Sequence, residues 1–596
     1  MKKNIHKQHS DVTTQQSNRT KALKLTNGSR VAVIGGGPAG SLFGYFLLDM
    51  AQRVDLSIDL DIYEPKNFSK LGPAGCNMCG GIISESLVRT LATEGINLPS
   101  SVVQRGIDSY VMHTDIGSTR IKTPLFEKSI ASVHRGAGPL GLHETKWLSF
   151  DGHLLNLTQS KGANIIHDRV IGVDWEDNHP KVRTRHKQSD IYDLLVIAIG
   201  VNSTALGLFG ELVGVHYKPP KTTKTYISDI FMGHESVQEC FGNSMHVFLL
   251  DIPRLEFAAI IPKGDYIAIC LLGEQIDTGL VEMFLHDPKV RQCFPNDWVS
   301  PKHFCHCSPR MNIGRSSYPF VDRMVFIGDC GISRLYKDGI GAAYHTAKGA
   351  VKTVIFDGIS AGDFQKNYYG KTCDAIDKDN KIGKIVFLVT HLLKKFPRLM
   401  RGILRMVAKE QQEQDMQKRM SMVLWDTFSG SASYQNIFFR TLHPYFLGNL
   451  FWNIVLSLFS FTERQLKKEE TTNNSLGKFY RDGEIIVNQG EEANCMYVIQ
   501  EGFVEVFLIQ AEKEIHLATL QEGDFFGEIP LFERETRHTS VRAMGTVRVI
   551  TVDRRTLNTS IQKDPSLAYR ILQTMARRIS VLSDEVVKLK AQTKDK

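Results

Sequence analysis

The chain is poor in cysteine. Ten occur in 596 residues, scattered through strand-like stretches, a usage that fits reduced thiols and argues against a disulfide framework. It also lacks a strong excess of one charge. Lys and Arg number 72 against 64 Asp and Glu, a formal net charge of +8, and the basic residues form no single long tract, which argues against a nucleic-acid partner. The N-terminus MKKNIHKQHSDVTTQQSNRTKALKLTNGSR has no apolar stretch fit for a signal core and reads as a polar, disordered tail over residues 1–28 of a cytoplasmic protein. No long internal repeat is visible, and no transmembrane segment is expected.

What is present is ordinary globular sequence, 42% apolar and 23% charged, long enough for two to four domains with their own cores. Its first strand-like run, Val31 to Ile34, leads into Gly35, Gly37 and Gly40 and then the apolar helix SLFGYFLLDM. Glycines at that spacing let the backbone turn tightly and approach a pyrophosphate at the positive end of the helix. A second strand-like run, LSIDLDIYEP, ends in Glu64, 24 positions beyond Gly40, where a carboxylate suits a ribose hydroxyl pair.

The stretch VFIGDCGISRLYKDGIGAAYHTAKGAV decides between dinucleotides. It gives a buried strand, then Gly328 and Asp329, then Gly339 and Gly341 at the head of another helix. A carboxylate for ribityl hydroxyls and a helix N-terminus facing an isoalloxazine ring are flavin requirements. FAD is therefore the expected cofactor.

These motifs, with CGGIISESL at 79–87, VHRGAGP at 133–139, SFDGHLL at 149–155, DLLVIAIG at 193–200 and PRLEFAAIIPKGD at 253–265, resemble the geranylgeranyl reductase family of FAD-dependent oxidoreductases. The likeness covers residues 30 to about 375. It implies an α/β fold in which a Rossmann-like doubly wound sheet binds FAD and an inserted antiparallel sheet roofs the substrate cavity. It also implies that Arg135 lies along the cofactor, that Val170 lies near the adenine, and that Cys79, followed by Gly80 and Gly81, sits by the flavin ring as the catalytic candidate. A thiol there can donate a proton, hydrogen-bond or exchange electrons; the plainer alternative is a small buried side chain.

Cys76 and Cys79 form a C-x-x-C that HFCHC at 303–307 could complete as a zinc site. The second cluster has irregular spacing and falls where a strand is expected, so no metal is assigned. Two departures from the family bear on substrate. The roof segment LEFAAIIP keeps Phe257 and Pro262 but is otherwise aliphatic, and the strand DLLVIAIG continues GVNS where aromatic hydroxylases have Asp-Gly.

Residues 376–465 read as helical. In KIVFLVTHLLKKFPRLMRGILRMVAK, Lys394, Arg398, Arg401 and Arg405 fall on one helical face interrupted by Pro397, a basic stripe suited to anionic lipid or to solvent. In PYFLGNLFWNIVLSLFSF, the polar Asn449, Asn453, Ser457 and Ser460 form one narrow stripe, which suits packing on protein or an interface better than a bilayer crossing.

Residues 466–596 change character again, to short alternating strands between glycines. Gly490, Gly502, Gly523 and the cassette Phe526 to Val541 resemble a cyclic nucleotide-binding domain, a C-terminal β-roll. The resemblance implies that Gly527 presents N–H groups to the cyclic phosphate, that Glu528 holds the ribose 2′-hydroxyl, and that Arg537 pairs with the phosphate. Pro530 departs from it, because proline removes an N–H donor, and His538 replaces a small residue. SLAYRILQTMARRISVLSDEVVKLK follows as a helix suited to a lid or dimer contact. No helix-turn-helix comes after it, which separates the chain from catabolite-activator transcription factors.

The expectation is thus a reductase of carbon–carbon double bonds in an isoprenoid or related lipid, biased by a cyclic nucleotide and touching the inner face of the membrane peripherally. Its electron donor is left open between NAD(P)H and ferredoxin. The alternatives are a flavin monooxygenase or halogenase and a non-catalytic flavin and nucleotide sensor.

Overall fold

The computed structural model describes residues 23–594 apart from 125–126, 141–146, 187–188, 211, 213, 302–303, 414–417, 458–473, 512, 534–535 and 564. The expected tail lies outside the described residues only as far as residue 22. The Leu23 carbonyl accepts the Ile359 N–H at 2.8 Å and Leu25 is buried, so the folded unit begins before residue 29.

The central sheet runs Phe320–Val321, Met324–Phe326, Leu194–Ile197, Ser29–Ile34, Ile58–Tyr63, Asn164–Ile166. All pairs are parallel except the first, at the edge. Burial on both faces explains the unbroken apolar run Val31–Ile34. Val31 and Val33 pack with the helices Pro38–Arg53, Phe150–Ser160 and Gly339–Lys352. Ala32 and Ile34 face Val170, Val173 and Val182 of a three-stranded antiparallel sheet.

The inserted sheet has eight strands, ordered Cys305–Cys307, Thr222–Phe231, Tyr266–Gly273, Leu255–Lys263, Ser244–Leu249, Ser109–Thr114, Gly117–Lys122, with Arg310–Asn312 also paired to Thr222–Phe231. It is antiparallel but for the pair Ser244–Leu249 and Ser109–Thr114. Alternation along Ser244–Leu249 turns Met245 and Val247 to the cavity side, and His246 and Phe248 to a layer built by the helices His234–Cys240, Thr278–His286 and Pro288–Arg291.

The helical region holds Asp374–Lys394, Pro397–Gln412, Arg419–Ser429, Tyr434–Thr441 and Pro444–Ser457. Its Met400, Leu404 and Trp425 share a core with Tyr110, Met112, Val247 and Ile261 of the inserted sheet. The basic stripe expected across Pro397 does not form. The chain turns at residues 395–396, so Lys394 ends one helix and Pro397 opens the next. Lys394 is buried and donates to the Leu255 carbonyl at 2.7 Å, whereas Arg398 and Arg401 remain exposed. On Pro444–Ser457 the polar stripe points inward: Asn453 and Ser457 are each 3% exposed, while Tyr445, Leu447, Phe451 and Trp452 face outward. Ser460 lies outside the described residues. No described helix is long and apolar enough to cross a membrane.

The C-terminal unit is a six-stranded antiparallel sheet built on the long strands Cys495–Gln510 and Ser540–Asp553, followed by the helices Arg554–Lys563 and Ser566–Lys594. Its Met496, Val498, Ile550 and Val552 belong to the same apolar cluster as Leu87, Val88 and Leu91 of helix Glu85–Thr93, so roll and α/β unit share a core.

Candidate functional site

One cavity of about 370 Å³ joins the central and inserted sheets. Gly35 and Gly37 of the first turn, Glu64 beyond the second strand, and Asp329 and Gly339 of the late motif all wall it, as do Cys79 and Arg135. Residues separated by almost 300 positions thus converge because parallel strands of one sheet end at the same edge. Gly40, Gly328 and Gly341 stand behind that wall. Val170 does not reach it; it is buried with Ile34 and Tyr63.

Local physics fixes each wall. Gly35 has a φ of +104°, and a Cβ there would stand 2.6 Å from the Ala198 carbonyl oxygen, so only glycine fits. Glu64 is 6% exposed and accepts the Gly36 N–H and the Lys66 N–H, each at 2.8 Å. Burial raises its carboxyl above the ordinary value, and the two backbone donors oppose that shift. Helix Pro38–Arg53 begins with no side-chain cap, and so does Gly339–Lys352; both leave backbone N–H groups toward the cavity. Two open helix starts, the buried carboxylate of Glu64 and the half-buried carboxylate of Asp329 are a donor and acceptor set that fits a flavin dinucleotide.

Arg135 and Asp151 form a buried ion pair, with Nη2 to Oδ2 at 2.8 Å. Burial works against the guanidinium charge, but Asp151 and the Cys79 thiol outweigh it and raise its pKa. Cys79 lines the cavity beside Arg135, and its Sγ lies 3.5 Å from the Gly81 amide. Burial raises the Asp329 carboxyl too, with Ser333 hydrogen-bonded to it and Arg135 nearby opposing the shift.

Opposite this polar half the wall is aliphatic: Met245, Val247, Ala259, Ile261 and Leu272, with Phe257. Lys337, unremarked by sequence reasoning, also lines it. Its ammonium donates to the Thr427 carbonyl at 2.7 Å and lies 4.9 Å from the Phe428 ring centroid and 5.2 Å from that of Phe257. Burial pushes it down to about 7, and Arg334 acts in the same direction. The only signal in the sequence was its place in KDG, between the flavin motif and the next helix. Asp338 beside it adopts a left-handed conformation, with φ of 54°, and burial pushes its carboxyl up to about 6 against the pull of Arg334.

Among the described residues, Cys76, Cys79, Cys305 and Cys307 do not assemble as a metal cluster; Cys305–Cys307 is the strand that the sequence suggested. His303 lies outside the described residues.

In the roll, the cassette residues already have protein partners. Arg537 is 5% exposed and donates to the carbonyls of Gly527 and Cys495, each at 2.6 Å. Glu528 is 3% exposed and accepts from Arg578 of the last helix at 2.9 Å. Burial raises its carboxyl, and Arg578 is the strongest influence opposing that. Pro530 falls in the short helix Ile529–Glu533, where its backbone offers no donor. At Gly502, a φ of +86° meets the turn expected of it.

Residues 477–564 match the family model described as "Cyclic nucleotide-binding domain". The C-terminal unit is such a domain. Its sequence is similar to the cAMP-activated global transcriptional regulator CRP of Salmonella typhimurium, 36% identical over 109 residues that make up 18% of this chain and 52% of that protein. The chain spans about half the length of the first curated relatives it matches. Among solved structures, a halogenase PltM variant in complex with FAD aligns over 73% of this chain and 92% of its own, at 12% identity and a TM-score of 0.46. The flavin-dependent brominase Bmp2 aligns over 64% and 93%, at 13% identity and a TM-score of 0.44.

Proposed function

We propose that the chain is an FAD-dependent reductase that saturates carbon–carbon double bonds of an isoprenoid or related lipid, and that a cyclic nucleotide on the roll biases its activity. The observation that carries this reading is the single cavity whose one half is Gly35, Glu64 and Asp329 and whose other half is an aliphatic sheet face. Bound and reduced, the flavin would supply two electrons and one hydrogen to the double bond. The second hydrogen is a proton, and Cys79 and Lys337 are two of the cavity groups able to deliver it. Lys337 suits that role because its ammonium loses its proton near neutral pH. Glu64 and Asp329 would hold ribose and ribityl hydroxyls, and Arg135 would lie along the cofactor. NAD(P)H or ferredoxin would act as electron donor.

Regulation has a physical route. Ser84 caps helix Glu85–Thr93 and lines the cavity, while Arg89 of that helix lies 3.8 Å from Asp553 of the roll. Arg548 of the roll donates to the Leu98 carbonyl at 2.9 Å. A ligand that shifts the roll between two positions therefore acts on an element that touches the cavity. The outward Phe451 and Trp452, with exposed Arg398 and Arg401 on the neighbouring helix, support peripheral contact with an anionic membrane surface.

Purified protein that carries flavin, once chemically reduced and mixed with a polyprenyl lipid, should yield a saturated product. Protein without flavin, or an oxygenated or halogenated product formed in air, would overturn the reductase reading.

A further inference from the structure

On the outer face of the inserted sheet, away from the cavity, His113 and His246 stand on neighbouring parallel strands in a layer that otherwise holds Phe241, Phe248 and Phe294. His113 Nε2 is 3.0 Å from His246 Nδ1 and 3.7 Å from Cys293 Sγ. The ligand atoms of all three residues lie within 4.8 Å of one another. The imidazoles are 5% and 6% exposed and the thiol residue 9%.

We propose that His113, His246 and Cys293 bind a divalent metal ion of the zinc class. Around tetrahedral zinc, bonds of about 2.0–2.1 Å to nitrogen and about 2.3 Å to sulfur set ligand atoms about 3.3–3.6 Å apart. The two measured separations bracket that range before any adjustment. The donors are of the right kind: imidazole nitrogen and thiolate suit a borderline-soft ion and not magnesium or calcium.

The surroundings prepare the set. His113 Nδ1 lies 2.9 Å from Ser118 Oγ, which fixes the ring and turns Nε2 to the site, as the orienting partners of metal-bound histidines do.

Binding would release the Cys293 thiol proton to solvent as the thiolate takes the metal, and would require the His246 ring proton on Nε2, with no change of oxidation state. The ion would pin Ser109–Thr114 and Ser244–Leu249 to the helical layer behind Met245 and Val247. It would be a structural site, buried and apart from the cavity.

The test uses the full chain, treated with a chelator and titrated with Co(II). A thiolate-to-cobalt charge-transfer band and the intense visible bands of tetrahedral cobalt should grow to saturation at a single equivalent. Cys293→Ser should abolish the charge-transfer band. Where a variant fails to fold, the wild-type chain still decides: Zn(II) should raise its Tm and Mg(II) should not. Absence of cobalt bands, a band unchanged in Cys293→Ser, or a Tm indifferent to Zn(II) would each overturn the site.

Discussion

Arg578 of the last helix holds Glu528 of the nucleotide cassette at 2.9 Å and the Phe525 carbonyl at 2.5 Å, with its guanidinium 5.0 Å from the Phe525 ring centroid. The carboxylate assigned to a ribose hydroxyl is thus occupied by the chain's own cation. A ligand that reached Glu528 would compete with the helix for it.

Removing that competitor should tighten nucleotide binding. A hydrogen bond to a charged group contributes about 1.5–3 kcal/mol, so Arg578→Ala should lower the Kd for cyclic AMP or cyclic GMP by roughly tenfold or more. Isothermal titration of both nucleotides checks it. Weaker binding in Arg578→Ala would mean that Arg578 supports the ligand and does not oppose it.

Arg537 should be needed for phosphate, and Lys should not replace it. Its two carbonyl contacts use the planar fork of the guanidinium, which an ammonium cannot reproduce. Both Arg537→Lys and Arg537→Ala are expected to lose measurable nucleotide binding while flavin content stays at the wild-type level. A Lys variant with wild-type Kd would refute the assignment.

Activity should fall as pH rises through about 7 if Lys337 delivers the proton, because the ammonium is the acid and its pKa is depressed to about 7. Lys337→Met should remove that limb and lower kcat. The sign for stability is opposite. Between about 7 and the ordinary lysine value near 10.4, the unfolded chain binds more protons at this site, so the site's contribution to stability increases with pH across that window. A pH profile of kcat identical in Lys337→Met would exclude the role.

Asp151 is fully buried beside Arg135, which is itself largely buried. Asp151→Ala strands a guanidinium in the interior and should cost about 3–5 kcal/mol, seen as an earlier urea transition of the α/β unit and loss of bound flavin. A midpoint close to wild type would show that water or another group takes over the charge.

The outward aromatics of Pro444–Ser457 should report membrane contact. Phe451→Ser with Trp452→Ser is expected to reduce cosedimentation with phosphatidylglycerol vesicles, and high salt should reduce it for the wild type through Arg398 and Arg401. Equal recovery of the double variant with vesicles would dismiss this face as the contact.

Much of the site could be read from the chain because its determinants are local. Gly35, Gly37 and Gly40 follow a buried strand and open a helix, Glu64 ends the next strand, and Gly328–Asp329 repeats the pattern; each depends on backbone demands within a few residues. The roll was legible for the same reason, through turns such as Gly502 and the short cassette. Lys337 was not, since its character comes from burial by Phe257 and Phe428, one 80 positions before it and the other 91 after. The basic stripe failed because helical periodicity says nothing of a chain turn at residues 395–396. Sequence alone determined the glycine turns and the C-terminal cyclic nucleotide-binding domain, where short-range sterics and hydrogen bonding decide. Tertiary structure alone decided that Arg578 closes on Glu528, that the roll shares a core with helix Glu85–Thr93, and that His113, His246 and Cys293 meet, because those contacts depend on packing between segments that no local pattern links.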